Sequence, residues 1–401
     1  MNKNLFNKKK SKLIFDLGIH PYADTFLEKK HLNKAEPIYP LRCYLNLSNG
    51  LIFNDIVTSS EERYNLYDYS YTSSNSAYSR NYWRKYSNFI DLFFKKKREI
   101  KILEVGSNDG FLLKKLKNKG YKTYGVDASK HMVKLALKKK IKTFKYVFNK
   151  NNSKKIKKKT GKVNLIIANN VFNHSNDPID FITGVENLLK DFGYFIVEVP
   201  YWKKLVQNNQ FDQIYHEHIT YLTVKSFFNL IKFSSLKIIH ILETEYHGGS
   251  IRFVCKKLGF SNNKVINKFL KEENKLKLFK EKTYKNIMNK ITKSKFIFVE
   301  KLINLKKRGY KIVGIGAAAK ANTLINFLNL DNDLIDFITE ASPYKIGKFT
   351  PLSRIPIKND KATKKIKGKF YAIIFSWNIS GIIKKKLVKI NKKIKFLNFK
   401  A

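Results

Sequence analysis

The 401-residue chain has room for two or three domains, and with 43% hydrophobic and 14% aromatic residues it is not a disordered polyelectrolyte. Its formal charge is +49, from 80 Lys and Arg against 31 Asp and Glu, which suits a polyanion partner. Yet the lysine runs 8–10, 95–97, 138–140, 157–159 and 384–386 are short, scattered and beside no nucleic-acid-binding motif. Abundant Lys, Asn and Ile with 18 Gly and 8 Pro fit a compositional bias, so the expectation is weak phosphate attraction and no specific nucleic acid.

The first hundred residues carry turn and strand signals without long periodicity, among them 17–23 and 48–53, and read as a small irregular domain ending in a Tyr-rich connector. Its basic start, Met1 to Lys10, leads into no apolar stretch of signal type, and no run in the chain reaches the roughly 18 apolar residues of a membrane span. A cytoplasmic chain without a membrane partner is expected. Cys43 and Cys255 are too few for a disulfide framework or a four-thiolate metal site.

From Lys101 short apolar runs alternate with helical stretches. The runs 102–105, 123–126, 163–168 and 194–199 read as buried parallel strands of a doubly wound α/β unit. After a strand at Ser250 to Cys255, residues 264–308 hold neither Gly nor Pro and repeat apolar residues at helical spacing, which predicts one long helix or two joined helices. A second α/β pattern starts at 311–316, continues through 334–338 and 371–375, and ends near Phe396.

Glu104-Val105-Gly106-Ser107-Asn108-Asp109-Gly110 follows the first central strand and opens a helix. Glycines there let the backbone pass close under a ligand resting on the helix N-terminus. The E-x-G-x-x-x-G form is that of class I S-adenosylmethionine (SAM) methyltransferases. Asp127 ends the second strand, where a carboxylate can accept both ribose hydroxyls. Asn169 and Asn170 end the next one, in a position to border the adenine and the methionine moiety. The cofactor set is therefore Glu104, Gly106, Asn108, Gly110, Asp127, Asn169 and Asn170.

Four further segments, 197–201, 211–218, 247–252 and 314–323, resemble the sugar C-methyltransferases that add a branch methyl to nucleotide-linked 4-keto-6-deoxy sugars. Tyr215-His216-Glu217-His218 and Lys320-Ala321-Asn322-Thr323 are the specific elements, and 343–348, 354–357 and 376–378 extend the match toward the C-terminus. The resemblance implies a small N-terminal domain of zinc-binding type over 1–70, a SAM domain over 71–260, bridging helices over 261–308 and a Rossmann-like nucleotide-sugar domain over 309–401. Where such enzymes carry a Cys-x-x-Cys, this chain has Asn46-Leu47-Ser48-Asn49; Cys43 alone cannot complete a tetrahedral site, so no metal is expected.

The implied reaction is methylation at C3 of the sugar, which needs a base for the proton beside the ketone, donors for the enolate and a methyl sulfonium in line. By resemblance His218 is the base, its basicity raised by Glu217, with Tyr215 and Glu217 positioning it or contacting the sugar. His174 matches an active-site histidine, and Tyr215 or His174 would donate to the enolate oxygen. Tyr71 matches a tyrosine that reaches over the sugar, Tyr69 being the other alignment. In an extended segment His216 would share a face with His218 and join the substrate residues. His247 and Arg252 are expected near substrate, Lys320 and Asn322 on the nucleotide diphosphate, and Trp377 and Asn378 along the same pocket, core packing being an equal role for Trp377. Gly314-Ile315-Gly316 would cradle the diphosphate; no acid stands where a dinucleotide ribose would need one. Two other functions remain open: O- or N-methylation of another sugar metabolite, and a basic RNA-binding or RNA-modifying protein.

Overall fold

The computed structural model describes residues 6–65, 72–74, 76–94 and 99–399. Near the N-terminus β1 (Ser11–Pro21), β2 (Ile38–Asn46) and β3 (Ile52–Asn54) form an antiparallel sheet, closed on its far edge by β9 (Thr220–Tyr221). Asn46 Oδ1 accepts the amides of Ser48 (3.0 Å) and Asn49 (3.2 Å), and Asn49 Oδ1 that of Leu51 (2.8 Å). Amide side chains thus close the turn where the resemblance would place thiolates. Buried Cys43 donates to Asn54 Oδ1 at 2.9 Å, and among the described residues no group of three or more His, Cys, Asp or Glu is arranged to hold a metal ion.

Helices α1 (Ser60–Asn65) and α2 (Ala77–Phe94) lead into the central unit. There β4 (Lys101–Val105), α3 (Phe111–Lys117), β5 (Lys122–Asp127), α4 (Lys130–Lys138), β6 (Lys142–Lys145), α5 (Lys150–Thr160), β7 (Val163–Asn169), α6 (Pro178–Leu188) and β8 (Leu189–Pro200) alternate in chain order. After α7 (Trp202–Gln207) and α8 (Val224–Ile231), β10 (Leu236–Thr244) and β11 (Ser250–Lys257) complete a sheet of order β10-β11-β8-β7-β4-β5-β6. Strands β6 to β8 pair in parallel across β5, β4 and β7, and β11 runs antiparallel to both its neighbours. The apolar runs read from the sequence are these strands; Leu103, Val105, Ile166, Ala168 and Val197 are buried in the core on one face, and Ile102, Leu165, Ile167 and Ile196 in that on the other, which forces near-continuous hydrophobic sequence.

The long glycine-free stretch is two helices, α9 (Asn263–Lys275) and α10 (Glu281–Lys307), broken where Lys277 takes φ +55°. Buried Tyr284, Ile291, Phe298, Leu302 and Leu305 of α10 share one core with β1, β2 and the C-terminal sheet, so the long helix cements the outer units together. That last sheet contains β12 (Lys311–Ile315), β13 (Phe337–Glu340), β14 (Ile357–Asn359), β15 (Phe370–Ile374) and β16 (Ile394–Leu397), all parallel in the order β14-β13-β12-β15-β16, with α11 (Ala319–Phe327) and α12 (Ser380–Ile390) as crossovers. Its second strand lies at Phe337–Glu340 and not at the expected 334–338. No helix among the described residues is long and apolar enough to cross a membrane.

Candidate active site

A cavity of about 650 Å³ opens where the carboxyl ends of the central strands face those of the C-terminal sheet, the usual ligand crevice of parallel sheets. On the central side the chain leaves β4 at Gly106, whose φ is +67° and whose amide donates to Val126 O at 2.8 Å. A Cβ at Gly106 would stand 2.8 Å from Val171 Cβ, so only glycine lets the strand tips come this close. Asn108, at φ +50°, donates its amide to Asp127 Oδ2 at 2.8 Å, and Ser129 donates to Asp127 Oδ1 at 2.9 Å. Burial nevertheless pushes the Asp127 carboxyl up to about 6. Gly110 opens α3 with φ +72°.

Glu104 Oε2, Ser107 Oγ and both polar atoms of the Asn169 side chain are buried with no hydrogen-bond partner among the described residues. Each such group costs about 1–3 kcal/mol while unmatched, so the cluster is shaped for a polar ligand. Burial holds the Glu104 carboxyl well above the usual carboxylate range, and a cationic ligand would relieve that. Orphaned polar atoms, a glycine cradle and a strand-tip acid fit SAM: Asp127 for the ribose, Glu104 and Asn169 for polar ends of the ligand. Ser73, missed in the sequence, roofs this loop by donating its amide to Asn108 Oδ1 (2.8 Å) and its hydroxyl to Asp109 Oδ1 (2.7 Å), while Lys139 Nζ holds Asp109 Oδ2 at 2.6 Å.

His174, His218 and His247 all line the same cavity. His218 Nδ1 lies 3.0 Å from Gln213 O; a carbonyl only accepts, so Nδ1 carries the proton and Nε2 keeps its lone pair. The His174 and His218 rings meet edge to face at 5.0 Å, and the Tyr215 ring lies 3.9 Å from that of His218. Burial drives His218 down to about 3, His247 likewise to about 3 and His174 well below its ordinary value. All three are neutral imidazoles near neutral pH. Arg63 Nη2 donates to His174 O at 3.3 Å, and Gln213 also donates its side-chain amide to His247 O at 3.4 Å. Gln213 lay inside a recognised motif, but nothing in the sequence marked its carbonyl as the orienting group.

The expected help from Glu217 is corrected. Its oxygens accept the amides of Ala23 (3.2 Å) and Asp24 (2.9 Å), burial lifts it to about 7, and it clamps the N-terminal segment to the cavity wall. His216 leaves the site altogether. The segment turns at 216–217 instead of running extended, so His216 points back between Tyr22 and Tyr39 and donates Nε2 to Tyr39 O at 3.2 Å. Arg252 is buried on β11, with Nε 2.7 Å from Glu198 Oε2, Nη2 2.9 Å from Tyr82 OH and its guanidinium over the Tyr86 ring. That makes it a strut between the sheet and α2 and takes it away from the cavity. Tyr71 and Tyr69 lie outside the described residues.

On the opposite wall Gly316 repeats the Gly106 turn: φ is +91°, its amide donates to Thr339 O at 2.8 Å, and a Cβ there would stand 2.2 Å from Ser376 Oγ. The expected absence of an acid is overturned by Glu340, which ends β13 and accepts the amides of Ala317 (2.9 Å), Ala341 (2.7 Å) and Ser342 (3.0 Å). It escaped the sequence reading because the strand was placed two residues too early. Lys320, in the first turn of α11, lines the cavity and donates to Asn378 Oδ1 at 2.5 Å. Asn378 lines it too, whereas Trp377 packs over Gly248 and donates Nε1 to Asp212 Oδ2 at 2.6 Å. Asn322 is fully buried beneath, holding Ala23 O at 2.5 Å instead of facing a ligand.

A model described as the C-methyltransferase C-terminal domain matches residues 245–397, and a methyltransferase-domain model matches residues 78–241. The C-methyltransferase NovU of Streptomyces niveus is 26% identical over 376 residues, covering 91% of this chain and 87% of that relative. Among solved structures, a S-adenosylmethionine-dependent methyltransferase from Clostridium acetobutylicum ATCC 824 aligns at 20% identity and TM-score 0.36, covering 44% of this chain and 92% of its own. The plantazolicin methyltransferase BpumL in complex with SAH aligns at 14% identity and TM-score 0.35, covering 45% and 84%.

Proposed function

We propose that this S-adenosylmethionine-dependent C-methyltransferase acts on a nucleotide-linked 4-keto-6-deoxysugar, adding its methyl group at C3 through an enolate. The observation that carries the reading is the shared cavity, in which a glycine-cradled cofactor crevice, a cluster of neutral imidazoles and a lysine-bearing crevice face one another. Carbon methylation beside a ketone requires these three functions within one enclosure.

His218 Nε2 takes the C3 proton, its ring held by the Gln213 carbonyl at Nδ1. Tyr215, tilted against the His218 ring, and His174, edge-on to it, flank the sugar ring and fix which face meets the cofactor. Bound SAM supplies an electrophilic methyl on its sulfonium. Gly106, Asn108 and Asp127 would hold its nucleoside end, in the same cavity that the histidines line. The Gly316 turn and the first amides of α11 receive the diphosphate.

The test is incubation with SAM and a nucleotide-linked 4-keto-6-deoxysugar in D₂O, followed by mass spectrometry and NMR. A new carbon-bound methyl at C3, with solvent deuterium entering that position in unreacted substrate, is expected. Methylation of an oxygen or nitrogen with the C3 proton retained would overturn the reading.

A further inference from the structure

A C3 proton beside a ketone is weakly acidic, and the imidazole that faces it is a weak base because burial pushes His218 to about 3. Such a base can work only if negative charge on the enolate oxygen is countered as it forms. Tyr215 and the neutral histidines offer dipoles; a full positive charge nearby would do more.

Lys320 stands in that position. Its ammonium sits 4.0 Å over the Trp377 ring, and Trp377 lies against Gly248, next to His247. The Trp377 indole is tied to Asp212, whose neighbour Gln213 orients His218. Lys320, His247 and His218 therefore line one cavity, with Trp377 and Asp212 packed behind them. The positive charge of Lys320 is also among the causes that depress His247, which feels His218 as well.

Its hydrogen bond is to a neutral amide, Asn378 Oδ1, and among the described residues no carboxylate comes within ion-pair distance of it. Asp212, the acid that acts on it through space, already accepts from Trp377. Burial lowers the Lys320 ammonium to about 8, the mark of a cation short of counter-charge. Lys345, the other lysine on this wall, contrasts with it: its ammonium donates to Ala317 O at 2.8 Å and pairs with Asp24 at 3.3 Å. One lysine is satisfied by the protein and the other is left for an anion of the reaction.

We propose that Lys320 is a catalytic residue that binds the enolate oxygen, and that it does not serve mainly as a diphosphate anchor. The inference rests on the enolate reading above. In the step, the C3–H bond breaks and its proton goes to His218 Nε2, the electron pair forms the C3–C4 double bond, and the former carbonyl pair moves to O4 beside the Lys320 ammonium. C3 then forms its bond to the methyl carbon as the S–CH₃ pair returns to sulfur, O4 regains its carbonyl, and His218 releases the proton to water.

The experiment fills the cofactor site with S-adenosylhomocysteine, so that exchange can occur without transfer, and follows deuterium entry at C3 in D₂O for wild type, Lys320→Met and Lys320→Arg. Methyl transfer kinetics and SAM affinity are measured alongside. Lys320→Met should lose exchange and kcat together by roughly 10²–10³-fold, with sugar KM within a few-fold and SAM affinity unchanged, and Lys320→Arg should recover part of both. Exchange at the wild-type rate, or a loss confined to KM, would overturn the assignment and make Lys320 a phosphate anchor. A loss of SAM affinity in both variants would overturn it also, by making the lysine structural. If wild type itself exchanges no proton, the enolate reading falls first and this inference with it.

Discussion

Gly106 and Gly316 each leave the tip of the first strand of a parallel sheet, take a positive φ and donate their amides at 2.8 Å to the neighbouring strand, at Val126 and Thr339. Each loop also donates an amide to the acid at that neighbour's tip, Asn108 to Asp127 at 2.8 Å and Ala317 to Glu340 at 2.9 Å. The two crevices differ in what is left unsatisfied. Around Gly106 buried Glu104, Ser107 and Asn169 lack partners and the charge is acidic. Around Gly316 the acid, Glu340, is covered by three amides, Lys345 pairs with Asp24, and Lys320 lines the cavity with no ion pair among the described residues. One turn geometry makes a cleft at either end; on the proposed reading, the residual charge suits a cationic sulfonium ligand in one and an anionic ligand in the other.

The seam between the two crevices carries the largest expected effect. His218→Ala should lower methyl transfer roughly 10²–10⁴-fold while SAM affinity, set across the cavity, stays at its wild-type value by calorimetry. A mutant that methylates carbon at the wild-type rate would remove His218 as base and leave Tyr71 as the next residue to test.

The comparison itself can be broken by exchanging each glycine for alanine. Gly106→Ala puts a Cβ 2.8 Å from Val171, and Gly316→Ala puts one 2.2 Å from Ser376 Oγ, both at positive φ. Each should weaken its own ligand about 10–100-fold: SAM in the first, the sugar substrate in the second. If both variants weakened both ligands equally, the crevices would not be separate sites.

Acidity sharpens the contrast further. Ribose hydroxyls donate more strongly to a carboxylate than to a neutral carboxylic acid, and burial raises Asp127 to about 6. SAM affinity should therefore be full well above pH 6 and fall as the pH drops through 6, by at most about tenfold per pH unit, toward the level of the neutral acid. Asp127→Asn should weaken binding by about 1–3 kcal/mol and flatten that acid limb, which isothermal titration at pH 5 and pH 8 would read.

The geometry of the crevice proposed for the cofactor was legible in the sequence because all its parts are local: an apolar run, a glycine turn and an acid at the end of the next run. The opposite wall has the same parts, yet Glu340 was missed, since placing β13 at 334–338 left the acid outside a strand it in fact ends. The remaining misplacements come from geometry that spacing does not encode. A turn at 216–217 separates His216 from His218. The pairing of β11 with β8 sets Arg252 opposite Glu198, and Asn322 is committed to Ala23, some three hundred residues away. Where a side chain answers to a partner distant in sequence, neither its type nor its motif says which way it faces.

The smallest effect is expected at Glu340, and its smallness is what the comparison demands. Its carboxylate already accepts three backbone amides, so it has little capacity left for a ligand, whereas Asp127 accepts two and stands beside unsatisfied groups. In Glu340→Gln the remaining oxygen can keep Ala341 and Ser342, but the new NH₂ would face the Ala317 amide, donor against donor. The loss of one bond should cost about 1 kcal/mol of stability, seen as a lower denaturant midpoint at unchanged slope. Sugar KM should move no more than two- or three-fold and SAM affinity not at all. A ten-fold or larger rise in sugar KM with unchanged stability would show that Glu340 grips the substrate as Asp127 is expected to grip the cofactor, and the two strand tips would then be alike in function as well as in form.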